Sequence, residues 1–310
     1  MISAVRYVTV AVRDLDRACR FYEETFDYLP HARATVTGAA FEQLWRLPAG
    51  TTAEVAVLGP AGADSGRLRL IAFDRPGEPY WGDYGNPQDH GLYALNIRVP
   101  EIHAAVQRLR AAGGRSKSSP TRWTVTPQVS AWDSLSYDPD GVILDVFELE
   151  TAPGSLMDDY DGGCTALQTI CLHSGDARQS ARFYAALGFR PWYDKMIERM
   201  EGFFKIPAGT PLHNINMVMP DSPSIGRIEI AQYVGFPGSS QRDRAVPPNL
   251  GLLSASLETT DLAETGKLLR AIGAEPVGEA VEVDLPGSGA VRARSYYGPD
   301  DEVLEFYQTL

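Results

Sequence analysis

Apolar and polar positions alternate through Val303-Leu304-Glu305-Phe306-Tyr307, the pattern of a strand. Leu304 and Phe306 fall on one face, and Val303, Glu305 and Tyr307 on the other. The strand is fed by Gly298-Pro299-Asp300-Asp301, where the proline pre-sets φ and the aspartates bond their own backbone to make a turn. The same phrase stands earlier as Tyr137-Asp138-Pro139-Asp140-Gly141-Val142-Ile143-Leu144-Asp145-Val146-Phe147, with Asp145 in the place of Glu305. An acid on a sheet face among apolar neighbours requires a partner, a proton or a ligand.

The pattern repeats on a larger scale. Each quarter of the chain opens with a short strand followed by an amphipathic helix. The first quarter runs Tyr7 to Val12, then Asp14 as N-cap, then a helix over Leu15 to Phe26 with Leu15, Ala18, Cys19, Tyr22 and Phe26 in one stripe. The third runs Thr169 to Leu172, with Asp176 as cap and a helix from Ala177 stopped by Gly188. The second pairs Leu92–Val99 with a helix closed by Gly113 and Gly114. The fourth pairs Leu252–Leu257 with one closed by Gly273. Odd quarters also share "LPAGTTAEVAVLGPAGADSGRLRLIAF" and "IPAGTPLHNINMVMPDSPSIGRIEIAQY". The order is therefore ABAB, in two halves of about 150 residues, with a polar, glycine-bearing boundary over Thr151 to Gly163. The expected domains are 1–150 and 164–310. A repeat this short cannot bury its own sheet face, so neighbouring A and B units are expected to pair into one curved sheet around a shared cavity.

These phrases, with "VTVAVRDLDRACRFY", "FYAALGF", "YDPDGVILDVFE" and "GPDDEVLEFYQ", resemble the vicinal oxygen chelate superfamily of glyoxalase I, bleomycin-resistance proteins, methylmalonyl-CoA epimerase and extradiol dioxygenases. The resemblance covers nearly the whole chain. It implies an α+β fold of four βαβββ modules, paired into two cup-shaped half-barrels. It also implies a divalent metal in a cup, on up to four ligands from the first and last strands of two modules. Carried onto this sequence, those places hold Tyr7, Arg69, Ala94 and Asp145 in an N-terminal cup. In a C-terminal cup they hold Thr169, Glu229, Ser254 and Glu305. No histidine stands in any of them, a departure from the family's pattern.

The N-terminal set reads either as an Arg69–Asp145 ion pair filling a former metal site, or as an anion or carbonyl clamp with Tyr7 as hydroxyl donor. In the C-terminal set, Glu229 and Glu305 are the candidate catalytic pair, since close like charges raise one pKa and make an acid and a base. Thr169 and Ser254 would bind substrate beside them. The alternatives are inert carboxylates, or a hard cation such as Mg²⁺ or Mn²⁺ on Glu229 and Glu305, with Gln168 recruited by a one-residue bulge. Otherwise no cofactor is expected. His173 shares a strand face with Thr169 and would line the cavity rim.

Net charge −12 with no basic run excludes nucleic acid as a natural partner, and no apolar stretch reaches membrane-spanning length. Three cysteines without metal or redox spacing fit reduced thiols in a cytoplasmic protein. Aromatics cluster at Tyr80, Trp81, Tyr84, Trp123, Trp132, Trp192, Tyr193, Phe203 and Phe204, either as core and homodimer contacts or as the wall of an apolar pocket. Three functions compete. One is a lyase, isomerase or cyclase moving a proton beside the carbonyl of a small aromatic or polycyclic metabolite. Another is a small-molecule binding protein of the bleomycin-resistance type. The third is an extradiol-type dioxygenase, whose iron ligands would fall on Thr169, Ser254 and Glu305.

Overall fold

A computed structural model describes residues 1–80, 86–127, 129–151, 160–197 and 209–310. Trp81, Tyr84, Phe203 and Phe204 lie outside the described residues. The first module comprises β1 (Ile2–Ala11), α1 (Leu15–Phe26), β2 (Leu29–Val36), α2 (Ala39–Trp45), β3 (Ala53–Gly59) and β4 (Arg67–Phe73). The second comprises β5 (Gly91–Arg98), α3 (Ile102–Ala111), β6 (Arg115–Ser116), β7 (Thr121–Thr126), β8 (Val129–Tyr137) and β9 (Ile143–Thr151). The third comprises β10 (Thr169–His173), α4 (Ala177–Ala186), β11 (Arg190–Ile197), β12 (Leu212–Val218) and β13 (Arg227–Tyr233). The fourth comprises β14 (Gly251–Thr259), α5 (Leu262–Ala271), β15 (Glu275–Leu285), β16 (Gly289–Tyr297) and β17 (Val303–Thr309).

Local chemistry sets the helices where the pattern predicts them. Asp14, Asp176 and Asp261 sit at extended N-cap positions and accept backbone N–H groups of the first turn, so each satisfies donors the helix leaves orphaned. Strand alternation separates two cores. Val8, Val10 and Val12, with Leu304 and Phe306, pack outward under the helices, while Tyr7, Ala11 and Tyr307 face inward.

The pairing of the modules departs from expectation. One sheet runs β15-β16-β17-β14-β1-β4-β3-β2, and the other runs β11-β12-β13-β10-β5-β9-β8-β6, with β7 paired to β8. Module one therefore shares a sheet with module four, and module two with module three. Each cup takes one module from each half, joined by the antiparallel pairs β1–β14 and β5–β10. The repeat phrases cannot distinguish this from neighbour pairing, because modules two and four offer the same edge to either odd module.

Within each half the link is instead a buried tyrosine. Tyr22 of α1 donates to Asp138 at 3.1 Å, and Tyr184 of α4 donates to Glu302 at 2.5 Å. The "RFY" and Pro-Asp phrases thus meet across the two sheets. The glycines of "SGRLRL" and "IGRIEI" also serve this junction. Gly66 donates to the Val5 carbonyl and accepts from Leu167, while Gly226 donates to Leu167 and accepts from Val5. Both have positive φ, and a Cβ on either would fall within 2.6 Å of a backbone oxygen.

Candidate active site

The exchanged pairing regroups every candidate residue. Glu305 does not meet Glu229; the two lie on different sheets. Its partner is Arg69, Nη1 to Oε1 2.8 Å, with both side chains 1 % exposed, and Ser256 donates to the same carboxylate oxygen at 2.9 Å. The Tyr7 ring lies 4.8 Å from the Arg69 guanidinium, and its hydroxyl is spent on the Gly287 carbonyl. The expected Arg69–Asp145 pair is therefore replaced by Arg69–Glu305. Ser254 borders only a void of about 30 Å³ beside Glu305, closed by Leu44 and Trp45 of α2. This cup is filled: a guanidinium takes the place of a cation, and apolar side chains take the place of a ligand.

The other cup is open and acidic. Its cavity has two adjoining lobes of about 90 and 60 Å³, both bordered by Asn96, Trp123, Asp133, Asp145, Asn214 and Glu229. Thr169 and Gln168 line one lobe with Trp192 and Tyr193; Cys171 and His173 line the other. Among the described aromatics, Trp123, Trp192 and Tyr193 thus reach the cavity. Trp132 lies outside it, against His103. His173 is buried between the Tyr93 ring, 3.7 Å away and stacked, and the edge of Tyr233; burial pushes its pKa down to about 3, so the ring is neutral. His213 lies on β12 and bonds Asp194 at 2.8 Å.

Register identifies the first-strand positions. Asn96 lies beside both Thr169 and Asp145, as Ser256 lies beside both Tyr7 and Glu305. They replace Ala94 and Ser254, which stand two residues away. Asn96, Asp133 and Asn214 were absent from the sequence-derived set. Asp133 was readable by the argument used for Glu305: it shares an inward strand face with the apolar Ala131 and Leu135.

The three carboxyls have different surroundings. Glu229 accepts Nδ2–H from Asn96 at 2.7 Å and from Asn214 at 2.5 Å. Burial raises its pKa, and those two donors oppose the rise. Asp145 is raised well above the carboxylate range by burial and by the neighbouring charges of Asp133 and Glu229, and its Oδ1 accepts no hydrogen bond from any described group. Asp133 is pushed up to about 7 by burial, opposed by the Trp123 indole N–H and reinforced by Glu229.

The matching ligand places in this cup hold Thr169, Asn96, Glu229 and Asp145. Among the described residues no three His, Cys, Asp or Glu side chains converge as a metal-binding group, and each oxygen of Glu229 accepts an amide N–H. The donors do not fit a resident metal, and the set of Glu229, Glu305 and Gln168 is divided between the two sheets.

Residues 4–146 match the family model for the Glyoxalase/Bleomycin resistance protein/Dioxygenase superfamily. Glyoxalase I from Zea mays superposes with a TM-score of 0.64 at 16% identity, over 99% of this chain and 93% of that one. A Bacillus subtilis protein provisionally described as a dioxygenase gives a TM-score of 0.60 at 11% identity, over 99% and 85%. No curated protein matches the sequence. The first half of the chain thus matches the glyoxalase/bleomycin resistance/dioxygenase superfamily model, and the chain as a whole shares the fold of glyoxalase I.

Proposed function

We propose that the cup shared by modules two and three is an active site that moves a proton at a carbon beside a carbonyl group of a small, aromatic-bearing molecule. The observation that carries this reading is the unequal environment of two acids facing one cavity. Glu229 holds two amide N–H donors, whereas Asp145 holds like-charged neighbours and an unpaired oxygen. Donors favour the anion and like charges favour the acid, so Glu229 serves as base and Asp145 as proton donor. Thr169 supplies a hydroxyl for the carbonyl oxygen, and Trp123, Trp192 and Tyr193 flank the aromatic body. Glu305, held by Arg69, is a structural residue in this scheme.

The test is deuterium incorporation from D₂O at the α carbon of a panel of aryl ketones, followed by NMR. Exchange is expected in the parent, with a loss of at least ~10²-fold in Glu229→Gln and in Asp145→Asn, the usual worth of one acid–base group. Exchange unchanged in both variants refutes the assignment. A second reading, a small-molecule binding protein, is favoured by the aromatic flank and the absence of histidine at the ligand places. It predicts saturable binding with no exchange in any member of the panel.

A further inference from the structure

Among the described residues, four buried polar atoms around the acidic cavity have no hydrogen-bond partner, and they share one character. Asn96 is 6 % exposed and turns its amide N–H toward Glu229, which leaves Oδ1 without a donor. Asp145 Oδ1 and Asn216 Oδ1 are likewise unpaired. His173, 1 % exposed, is tied to the Pro87 backbone through its other nitrogen and leaves Nδ1 unpaired. A ring nitrogen facing a backbone carbonyl donates, so Nδ1 of this neutral imidazole is an acceptor. Asn96 Oδ1, Asn216 Oδ1 and His173 Nδ1 are therefore acceptors, Asp145 Oδ1 becomes one when the carboxyl ionises, and each borders one lobe or both. Burying an acceptor unpaired is costly, so four in one cavity describe a site completed by a donor-rich ligand.

Charge points the same way. Asp133, Asp145 and Glu229 face the cavity, and the cation lining it among the described residues is Arg227. The Arg227 guanidinium lies 5.1 Å from the Trp192 ring, and its Nε donates to the Pro223 carbonyl at 2.6 Å. Three carboxyls face one guanidinium, so the site can develop negative charge around an arriving cation. We infer that this cavity receives a small organic cation, an amine or guanidine borne on an aromatic body, with the cationic head among Asn96, Asp145 and Glu229 and the ring beside Trp123 and Trp192. This rests on the cup being the ligand site, and not on any chemistry performed there.

Proton linkage follows. Asp133 titrates at about 7 and Asp145 lies raised, because no cation offsets their burial; an arriving ammonium would favour both anions and displace protons. Burial raises Glu229 as well, opposed by its two amide donors, so it belongs with these two acids; the remaining titratable groups facing the cavity do not compete near neutrality. Burial pushes the Cys171 thiol and the Tyr93 and Tyr193 phenols upward and the His173 imidazole downward.

Tryptamine and its neutral isostere tryptophol test the assignment by calorimetry on the full chain, with indole-3-acetate as the anionic control. Tryptamine is expected to bind at least ~10-fold tighter than tryptophol, a difference of about 1.4 kcal/mol, and indole-3-acetate weakest. Slightly below neutral pH, the heat of tryptamine binding should change between phosphate and Tris as protons are released. Asp145→Asn should remove the preference for amine over tryptophol. Equal or tighter binding of tryptophol overturns the inference. So does a retained amine preference in Asp145→Asn, or failure of every amine from methylammonium to tryptamine to bind at millimolar concentration. Amine binding without deuterium exchange in any ketone would refute proton transfer and leave this inference standing. Exchange with neutral ketones and no amine preference would do the reverse.

Discussion

Replacing Glu305 by alanine removes one partner of an ion pair that has almost no contact with solvent. Arg69 and Glu305 are each 1 % exposed, and their contact at 2.8 Å is supported by Ser256 Oγ at 2.9 Å from the same carboxylate oxygen. Among the described residues Nε and Nη2 of Arg69 have no hydrogen-bond partner, so in Glu305→Ala the guanidinium keeps, of the contacts those residues make, the weak Nη1–Ser256 contact at 3.5 Å and the Tyr7 ring. A cation–π contact contributes about 0.5–2 kcal/mol, against a cost of about 3–5 kcal/mol for stranding a buried charge. Desolvation wins. The variant should lose about 3–5 kcal/mol in urea unfolding, with a fall in Tm on the order of 10 °C. Arg69→Met combined with Glu305→Leu removes both charges and should recover most of the loss, because neither desolvation cost remains. A single variant within ~1 kcal/mol of the parent would refute the reasoning, as would a double variant no more stable than the single.

Glu302, buried at the second Pro-Asp turn, is raised from 4.5 to about 8 by burial and by Asp300. A raised folded-state pKa means that the folded chain holds the proton more tightly. Its stabilisation is full below the unfolded pKa near 4.5 and is lost as pH rises through about 8. Glu302→Gln, a mimic of the protonated form, should therefore flatten the fall in Tm over that window; an unchanged Tm–pH slope would contradict it. Fragments 1–151 and 160–310 should co-purify when expressed together, while the isolated first half should not yield a folded monomer by circular dichroism and size exclusion. Each of β1 and β5 loses its antiparallel neighbour in that fragment. Dialysis against EDTA should leave Tm and deuterium exchange unchanged, given the donor arrangement in the open cup; loss of either on chelation, restored by a metal, would show that the carboxyls rearrange around an ion.

The sequence by itself determined the local structure and the repeat. Asp14 and Asp176 can cap only a helix that starts where theirs do, and the alternation through Val303–Tyr307 allows only one face for Glu305. The inward direction of Arg69, Asp145, Glu229 and Glu305 was legible because strand geometry has a period of two. Which of them share a cavity was not, because a strand edge exposes backbone donors and acceptors that are the same in every module. Modules two and four are interchangeable on that criterion. The choice was made by contacts between residues distant in the chain: the side chains of Glu305 and Ser256 around Arg69 and of Asn96 beside Glu229, and the backbone crossing of Gly66 and Gly226. Only the assembled sheets could therefore turn an expected Glu229–Glu305 pair into a neutralised cup on one side and an acidic, acceptor-lined one on the other. The physical reason is that side-chain direction is a property of one strand, whereas a partner's charge arrives from another part of the chain.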